Sequence, residues 1–189
     1  MWNLEQRFAG SSNVELTELG LEQARSAGRL LVDRNFGFDL VYTSQLKRAQ
    51  HTAAAALSQM QSGEIELHAT WRLNERNFGE LEGMLYTDAA LQYGEEWGQP
   101  WLWGKKPPGG ESMEEVEERV RPFLDEQLFP DLRAGRRPLV VAHGNTIRVL
   151  DELLRAGVGA RLETIPTANP LLYRLEEYTL SVHTREFMA

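Results

Sequence analysis

The sequence predicts an α/β layer fold with a largely parallel sheet. Two short apolar runs, residues 40–42 and 138–142, have the continuous hydrophobicity of strands that are buried within a sheet. Each run is followed by a stretch with apolar residues at helical spacing, and this alternation is typical of parallel sheets. Because ligand sites in such sheets form at the carboxyl ends of strands, the residues that follow the two runs are the first functional candidates.

Helices are predicted where a start signal precedes an apolar stripe of helical period. The first predicted helix is capped by Thr17 and ends near residues 33–37, and the second covers residues 46–60 with Ser44 as its N-cap. The third covers residues 112–128 and is opened by the capping-box pair Ser112 and Glu115. The fourth follows residue 146 and has four apolar residues on one face, Ile147, Leu150, Leu153 and Leu154.

The remaining strands carry weaker signals. Residues 65–68 alternate like a strand at a sheet edge, and residues 170–175 and 179–183 are predicted late strands. Between residues 71 and 108, glycine, tryptophan and charged residues are interleaved, which indicates an irregular, partly helical excursion. No repeat or linker divides the sequence, so residues 1–189 are predicted to form one domain.

The composition excludes several classes of function. The 20 Lys and Arg residues against 28 Asp and Glu residues give a net charge of −8, which argues against a general nucleic-acid binder. No run approaches the roughly 20 apolar residues of a membrane span. The absence of cysteine excludes disulfides and thiolate catalysis and fits the reducing cytoplasm. No histidine or carboxylate cluster has metal-ligand spacing, so no metal is expected.

Arg48 is the candidate at the first strand-to-helix junction. It lies in the first turns of the second predicted helix, where the helix dipole makes a cation mildly unfavourable unless an anion binds there. The alternative is a solvated surface arginine, and the spacing does not decide between the two.

His143 and Gly144 follow the second strand, where ligands approach a parallel sheet. The glycine would let backbone N–H groups come close to a bound oxyanion, although a core histidine bonded to the backbone is the alternative. Glu75 stands among arginines in residues 72–79. It is a candidate general acid or base, but its spacing alone favours an ion pair.

Six short motifs occur in order along the chain and cover nearly all of it. They are Trp-Asn-Leu-Glu with Arg-Phe-Ala-Gly at 2–10, Tyr-Thr-Ser with Leu-Lys-Arg-Ala at 42–49, Arg-Leu-Asn-Glu-Arg at 72–76, Pro-Pro-Gly-Gly-Glu-Ser at 107–112, His-Gly-Asn at 143–145 and Ile-Pro-Thr at 165–167. Together they resemble the cofactor-dependent phosphoglycerate mutases of the histidine phosphatase superfamily. The resemblance implies a three-layer α/β sandwich with a mostly parallel central sheet.

The resemblance also implies a chemistry and a set of site residues. In that family a histidine of an Arg-His-Gly motif takes a phosphoryl group from 2,3-bisphosphoglycerate and passes it to monophosphoglycerate, interconverting 2- and 3-phosphoglycerate in glycolysis. Arg48 and His143 would hold the phosphoryl oxygens, and Glu75 would exchange a proton with the substrate hydroxyl. The substrate-contacting positions match Asn3, Gly10, Arg76, Asn77, Phe78, Gly144 and Asn145.

The sequence departs from the mutase pattern at several basic positions. Mutases carry a Lys where Tyr86 stands and paired arginines near residues 100–101, which bind the carboxylate and second phosphate of the substrate. Lys105 and Lys106 are candidates to replace them in part. The expected ligand therefore remains a small anionic phosphorylated compound, and the oligomeric state is left open, a homo-oligomer included.

The family's Arg-His-Gly motif should stand just before Trp2. None of the four histidines lies in that context, so a covalent phosphohistidine has no obvious carrier. We therefore expect the first central strand to be missing, Met1 to be an internal methionine, and the chain to be inactive in this form. A phosphatase of small phosphate esters and a non-catalytic phospho-ligand binding protein are the alternative functions.

Overall fold

In the computed structural model, residues 2, 5–60, 65–98, 103–156, 162, 165–175 and 182–188 are described. The helices are α1 (Glu18–Asp33), α2 (Lys47–Leu57), α3 (Tyr86–Tyr93), α4 (Met113–Phe123), α5 (Phe129–Arg133) and α6 (Gly144–Leu154). The strands are β1 (Leu40–Thr43), β2 (Glu66–Ala69), β3 (Pro138–Val141), β4 (Leu171–Leu175) and β5 (Val182–Phe187). Short 3₁₀ turns lie at Trp71–Leu73, Gly79–Leu81 and Glu95–Gly98, and a π-helical turn lies at Leu124–Leu128.

The parallel sheet has the order β2-β1-β3, with β1 at its centre. Thr43 at the end of β1 is in register with Val141 at the end of β3. The residues that follow these two strands, which the sequence named as the first functional candidates, therefore meet at one edge of the sheet. The described part of β4 and β5 forms a separate antiparallel pair in which Leu171 stands opposite Phe187.

Helices cover both faces of the parallel sheet. Leu40 and Tyr42 belong to a buried cluster with side chains of α4 and α6. Side chains alternate along a strand, so Val41 and Thr43 point to the opposite face, where α2 contacts β1 and β3. On that face α1 approaches α2 closely, because a Cβ on Gly28 would lie 2.2 Å from the carbonyl oxygen of Ala56. This arrangement confirms the predicted α/β fold with a parallel sheet flanked by helices.

The predicted helix starts are right at two places and wrong at one. Thr17 Oγ1 accepts a hydrogen bond from Gly20 N at 3.0 Å, and Ser112 and Glu115 form the predicted capping box. Ser44 is not the N-cap of α2. Leu46 occupies that position without a side-chain cap, and the Ser44 hydroxyl is bonded elsewhere.

The helix predicted over residues 112–128 changes its character part of the way along. Pro122 lacks an N–H group, and the α-helical pattern ends at Phe123. The chain continues through the π-helical turn at Leu124–Leu128 into α5, which ends at Arg133. The predicted end near residue 128 is therefore a change of helix type.

The strand at residues 138–142 differs from its prediction in burial. All four residues of β3 are only half-buried, and within the described part of the chain β3 stands at an edge of the sheet. Its apolar composition had predicted a strand buried on both sides.

The weaker strands and the excursion agree with the sequence where the structure describes them. Residues 65–68 and 170–175 correspond to β2 and β4, and β2 is an edge strand as expected. The second late strand, predicted over residues 179–183, corresponds to β5 (Val182–Phe187), and residues 179–181 lie outside the described part. Residues 71–98 and 103–108 contain only α3 and the 3₁₀ turns, as an irregular excursion should. Among the described helices, none combines the length and the apolar character of a membrane span.

Candidate active site

A cavity of about 390 Å³ opens at the carboxyl ends of β1 and β3. This volume is near the lower end of the roughly 300–1,000 Å³ of ligand pockets, which favours a small ligand. Of the site residues predicted from the sequence, those that line the cavity are Gly10, Arg48, Glu75, Phe78, His143, Gly144 and Asn145. Asn3 lies outside the described residues.

His143 lies between β3 and α6 and is only 8% exposed. Its Nε2 lies 2.7 Å from Ser44 Oγ, and Ser44 Oγ also accepts a hydrogen bond from Leu46 N at 3.2 Å. Burial, helped by the charges of Arg48 and Arg119, lowers the pKa of His143 well below its usual value. The ring is therefore neutral at pH 7.

The hydrogen bonds at Ser44 also assign the tautomer of this neutral ring. Leu46 N already donates to Ser44 Oγ, and among the described groups His143 Nε2 is the acceptor that the Ser44 hydroxyl reaches. Nε2 then accepts, so the ring hydrogen is on Nδ1. His143 can in this state donate one hydrogen bond to an oxygen of a bound ligand.

Arg48 is held in place by the loop at residues 10–12. Its Nη1 donates to the carbonyl oxygen of Ser12 and its Nη2 to that of Gly10, both at 2.7 Å. Gly10 has φ +48°, a backbone conformation in which other residues are strained, so this position favours glycine. Burial lowers the pKa of Arg48, while Glu75 and Glu82 oppose the shift, and a guanidinium stays charged at neutral pH.

The backbone around Glu75 is fastened from two helices. Thr146 Oγ1 on α6 donates to the carbonyl oxygen of Asn74 at 2.7 Å, and Arg119 Nη2 on α4 donates to that of Glu75 at 3.2 Å. Arg119 also forms an ion pair with Glu111 at 2.9 Å. These contacts fix the position from which the Glu75 carboxylate faces the cavity.

Arg76 and Asn77 lie outside the cavity lining. The Arg76 side chain is fully buried and donates to the carbonyl oxygens of Glu111 and Lys105, and Asn77 N donates to Glu111 Oε2 at 2.8 Å. Both residues therefore fasten residues 105–111 beside Glu75, and their contact with substrate stays a prediction.

Lys105 and Lys106 form exposed ion pairs with Glu96 and Glu115. Neither lysine lines the cavity. The two lysines therefore do not stand in this structure where they could replace the basic groups of the mutase pattern.

Aromatic rings form one wall of the cavity. Phe8 packs against Phe78 with ring centroids 4.7 Å apart and against Tyr86 at 4.6 Å. Burial and the charge of Glu75 raise the pKa of Tyr86, so its hydroxyl keeps its hydrogen at neutral pH. This wall is an apolar part of a lining that also contains Glu75.

Two functional candidates were missed by the sequence reasoning. Ser44 was assigned to a helix cap, and its contact with His143 joins residues that are 99 positions apart. Arg148 also lines the cavity, although it was expected only as part of a helix. Its position four residues after Gly144 places it on the same helix face, and this spacing was the available signal.

The cavity can bind anions and transfer a proton. Its described lining contains the guanidinium groups of Arg48 and Arg148, the imidazole of His143 and one carboxylate, Glu75. The guanidinium groups and the imidazole N–H group can donate hydrogen bonds to the oxygens of a phosphoryl group. The Glu75 carboxylate can exchange a proton with a ligand bound beside it. No group of three or more His, Cys, Asp or Glu within the described ranges could hold a metal ion.

Comparison with known proteins agrees with this chemistry. A family model of the histidine phosphatase superfamily (branch 1) matches residues 1–181. The 2,3-bisphosphoglycerate-dependent phosphoglycerate mutase of Methylorubrum extorquens (strain PA1) is 41% identical over 184 residues, which cover 94% of this chain and 86% of the relative. The protein of the same name from Methylobacterium sp. (strain 4-46) is 38% identical over 196 residues, covering 99% and 91%.

Two solved structures with the same fold are named as phosphatases. The α-ribazole phosphatase from Shigella flexneri has a TM-score of 0.78 at 25% identity and covers 99% of this chain and 90% of its own. A mycobacterial glucosyl-3-phosphoglycerate phosphatase, in complex with VO3, has a TM-score of 0.69 at 28% identity and covers 88% and 78%. The family model and the mutases match nearly the whole chain, and the motifs at 42–49 and 143–145 had indicated the same family. The chain therefore belongs to the histidine phosphatase superfamily and is similar to its 2,3-bisphosphoglycerate-dependent phosphoglycerate mutases.

Proposed function

We propose that the cavity is the substrate site of a phosphoryl-transfer protein of the phosphoglycerate mutase type. The observation that carries the proposal is that Arg48, Glu75 and His143 line one small cavity. Arg48 and the Nδ1–H group of His143 hold phosphoryl oxygens and stabilise the charge that develops on them during transfer. Glu75 exchanges a proton with the substrate hydroxyl.

The names of the curated relatives support phosphoglycerate as the substrate, and the family resemblance implies interconversion of its 2- and 3-isomers. In this proposal 2,3-bisphosphoglycerate supplies the priming phosphoryl group. A lining with two arginines and one carboxylate suits a ligand that carries several negative charges. Arg48 and His143 would hold the phosphoryl group of this donor.

Binding is the first test, because it does not depend on turnover. We expect titration calorimetry to detect binding of 3-phosphoglycerate, and Arg48→Gln to weaken it at least tenfold, as loss of a charge-assisted hydrogen bond of roughly 1.5–3 kcal/mol requires. Arg121→Gln, which removes the same charge from an exposed ion pair on α4, is the matched control and leaves binding unchanged. No binding by the unmodified chain, or equal binding by the Arg48 variant, would contradict the proposal.

We further propose that a polypeptide of these 189 residues binds phosphate esters without sustained turnover. His143 is buried with its Nε2 bonded to Ser44, and none of the histidines stands in the family's Arg-His-Gly context. Mass spectrometry after incubation with 2,3-bisphosphoglycerate tests this: we expect no phosphohistidine. A phosphorylated histidine would refute this part of the proposal and would also exclude a purely non-catalytic binding protein.

Hydrolysis of small phosphate esters is the second candidate function. It is favoured by the names of the solved relatives and by Tyr86, which stands where mutases carry a lysine for the substrate. In this case water takes the place of the acceptor, with the same roles for Arg48, Glu75 and His143.

A form of the protein extended at its N-terminus by a strand with the family's Arg-His-Gly motif separates the two activities. Interconversion of 3- and 2-phosphoglycerate faster than release of inorganic phosphate supports the mutase, and the reverse supports the phosphatase. Glu75→Gln in the same form should slow either reaction by roughly a hundredfold or more, as loss of a general acid or base does.

A further inference from the structure

We infer that Arg148 is a second anion-binding residue of the cavity, which takes the carboxylate of a phosphorylated hydroxy acid whose phosphoryl group lies at Arg48 and His143. The inference rests on the proposed function and deepens it. It assigns a partner to the anionic group that is not transferred, and it separates phosphorylated hydroxy acids from simple phosphate esters.

The side chain of Arg148 is held beside the cavity by the backbone. It lies on α6, is 9% exposed, and its Nε donates to the carbonyl oxygen of Leu162 at 3.1 Å. A Cβ on Gly144 would lie 3.3 Å from Arg148 Nη1 and 3.9 Å from Glu75 Oε2. The guanidinium group therefore reaches the cavity wall beside Glu75, and the absence of a side chain at residue 144 leaves room for this approach.

Glu75 interacts electrostatically with cations of two different helices. Its charge opposes the effect of burial on the pKa of Arg48, from α2, and on the pKa of Arg148, from α6. In the described lining these are the two arginines, against the one carboxylate. A ligand with a single phosphoryl group engages one of them, whereas a ligand with two anionic groups engages both.

The surroundings of Arg148 suit the remainder of such a ligand. Asn145, 3% exposed, lines the cavity from the first turn of α6, and its Oδ1 is buried with no hydrogen-bond partner. This oxygen is an acceptor, so it suits a ligand hydroxyl that stands next to a carboxylate. Thr167 also lines this cavity and adds a hydroxyl to the polar part of the lining.

Arg148 also replaces basic groups that the sequence lacks. Tyr86 stands in place of the mutase lysine, and the exposed Lys105 and Lys106 pair with glutamates outside the cavity. A guanidinium also presents two parallel N–H groups to a carboxylate, which a lysine cannot do.

Two ligands of nearly equal size test the assignment. 3-Phosphoglycerate and glycerol 3-phosphate both carry a phosphoryl group, and only the first carries a carboxylate. Titration calorimetry with the 189-residue chain gives the ratio of their affinities for the unmodified protein, Arg148→Gln, Arg148→Lys and the control Arg121→Gln. The melting temperature without ligand shows which variants are folded.

We expect Arg148→Gln to weaken the binding of 3-phosphoglycerate roughly ten- to a hundredfold, as loss of a charge-assisted hydrogen bond does. The affinity for glycerol 3-phosphate should be nearly unchanged. Equal weakening of both ligands would assign Arg148 to fold or phosphoryl binding and overturn the inference. If the glutamine variant does not fold, Arg148→Lys decides, because it lowers the preference for 3-phosphoglycerate only if the carboxylate binds there.

The outcomes separate the inference from the proposed function. If the unmodified chain binds both ligands equally, the phosphate-ester site stands and the assignment of Arg148 fails. If it binds neither, the proposed function fails and the inference fails with it.

Discussion

Replacement of Ser44 by alanine tests the buried contact that organises the site. Ser44 is fully buried, and its Oγ lies 2.7 Å from His143 Nε2, which belongs to a residue that is 8% exposed. The same oxygen accepts a hydrogen bond from Leu46 N at the start of α2. Alanine at this position removes the partner of both nitrogens and introduces no new group.

The size of the effect follows from these two lost bonds. A buried polar group that loses its partner costs roughly 1–3 kcal/mol. The 3.2 Å bond from Leu46 N is the weaker of the two, and the cavity beside His143 gives water some access to the ring. We therefore expect Ser44→Ala to lower the free energy of unfolding by about 2–3 kcal/mol.

Urea unfolding measures this loss, with Ser58→Ala as the matched control. Ser58 Oγ donates to the carbonyl oxygen of Ala55 at 2.7 Å in an exposed position, so its removal should change stability by less than about 0.5 kcal/mol. Nitrogen-15 NMR of His143 gives a second readout, because the variant should lose the uniform Nδ1–H tautomer. If Ser44→Ala costs no more than Ser58→Ala, and the tautomer is unchanged, the reasoning is wrong.

Three further changes have outcomes that the contacts predict. Burial and two nearby arginines hold the pKa of His143 well below its usual 6.5, so below pH 6.5 the unfolded chain binds a proton that the native chain does not. The stability that this group contributes is thus complete above pH 6.5 and decreases as the pH falls toward the native pKa, by up to about 1.4 kcal/mol per pH unit. Urea unfolding between pH 5 and 7 tests this, because the free energy of unfolding of His143→Gln should depend less steeply on pH than that of the unmodified chain. Asp151→Asn should cost about 3–5 kcal/mol in the same assay, because the fully buried carboxylate is the shared partner of two arginines, and a loss below 1 kcal/mol would contradict this. Gly79→Ala should lower the free energy of unfolding by at least about 2 kcal/mol, because φ is +54° and a Cβ would lie 2.1 Å from the carbonyl oxygen of Pro108. Gly104→Ala is the control and should lower it less, because Gly104 has φ +70° but open space around it.

The sequence predicted those features of the fold that depend on neighbours along the chain. The Thr17 cap and the Ser112–Glu115 capping box concern groups three residues apart, and both are present. The alternation of strands and helices likewise predicted a parallel sheet with functional residues at the carboxyl ends of its strands, and in the structure the ends of β1 and β3 meet. This meeting is what brings Arg48 and His143 into one cavity.

Contacts between distant segments could not be predicted in the same way. Ser44 satisfied the local rule for a helix cap, but its hydroxyl bonds to His143 across the sheet edge. A local rule also favoured a simple ion pair for Glu75, whereas the structure places this carboxylate at a cavity wall with its backbone held by Arg119. In each case the partner comes from another element, and only the folded chain brings the two together.

The arginines of the site divide into two groups according to whether they line the cavity. Arg76 and Arg119 direct their N–H groups at backbone carbonyl oxygens and at Glu111, outside the cavity lining. Arg48 and Arg148 also donate to carbonyl oxygens, but both line the cavity.

A guanidinium has five N–H donors in a rigid fork, so it can be anchored by some of them and still present others to a ligand. This anchoring orders the cation before substrate arrives, which lowers the entropy lost on binding and keeps the charge directed at the phosphoryl oxygens. In the proposed function, the hydrogen bonds from Arg48 to the backbone of Gly10 and Ser12 would therefore prepare it to bind an anion, and the same reasoning applies to Arg148 through Leu162.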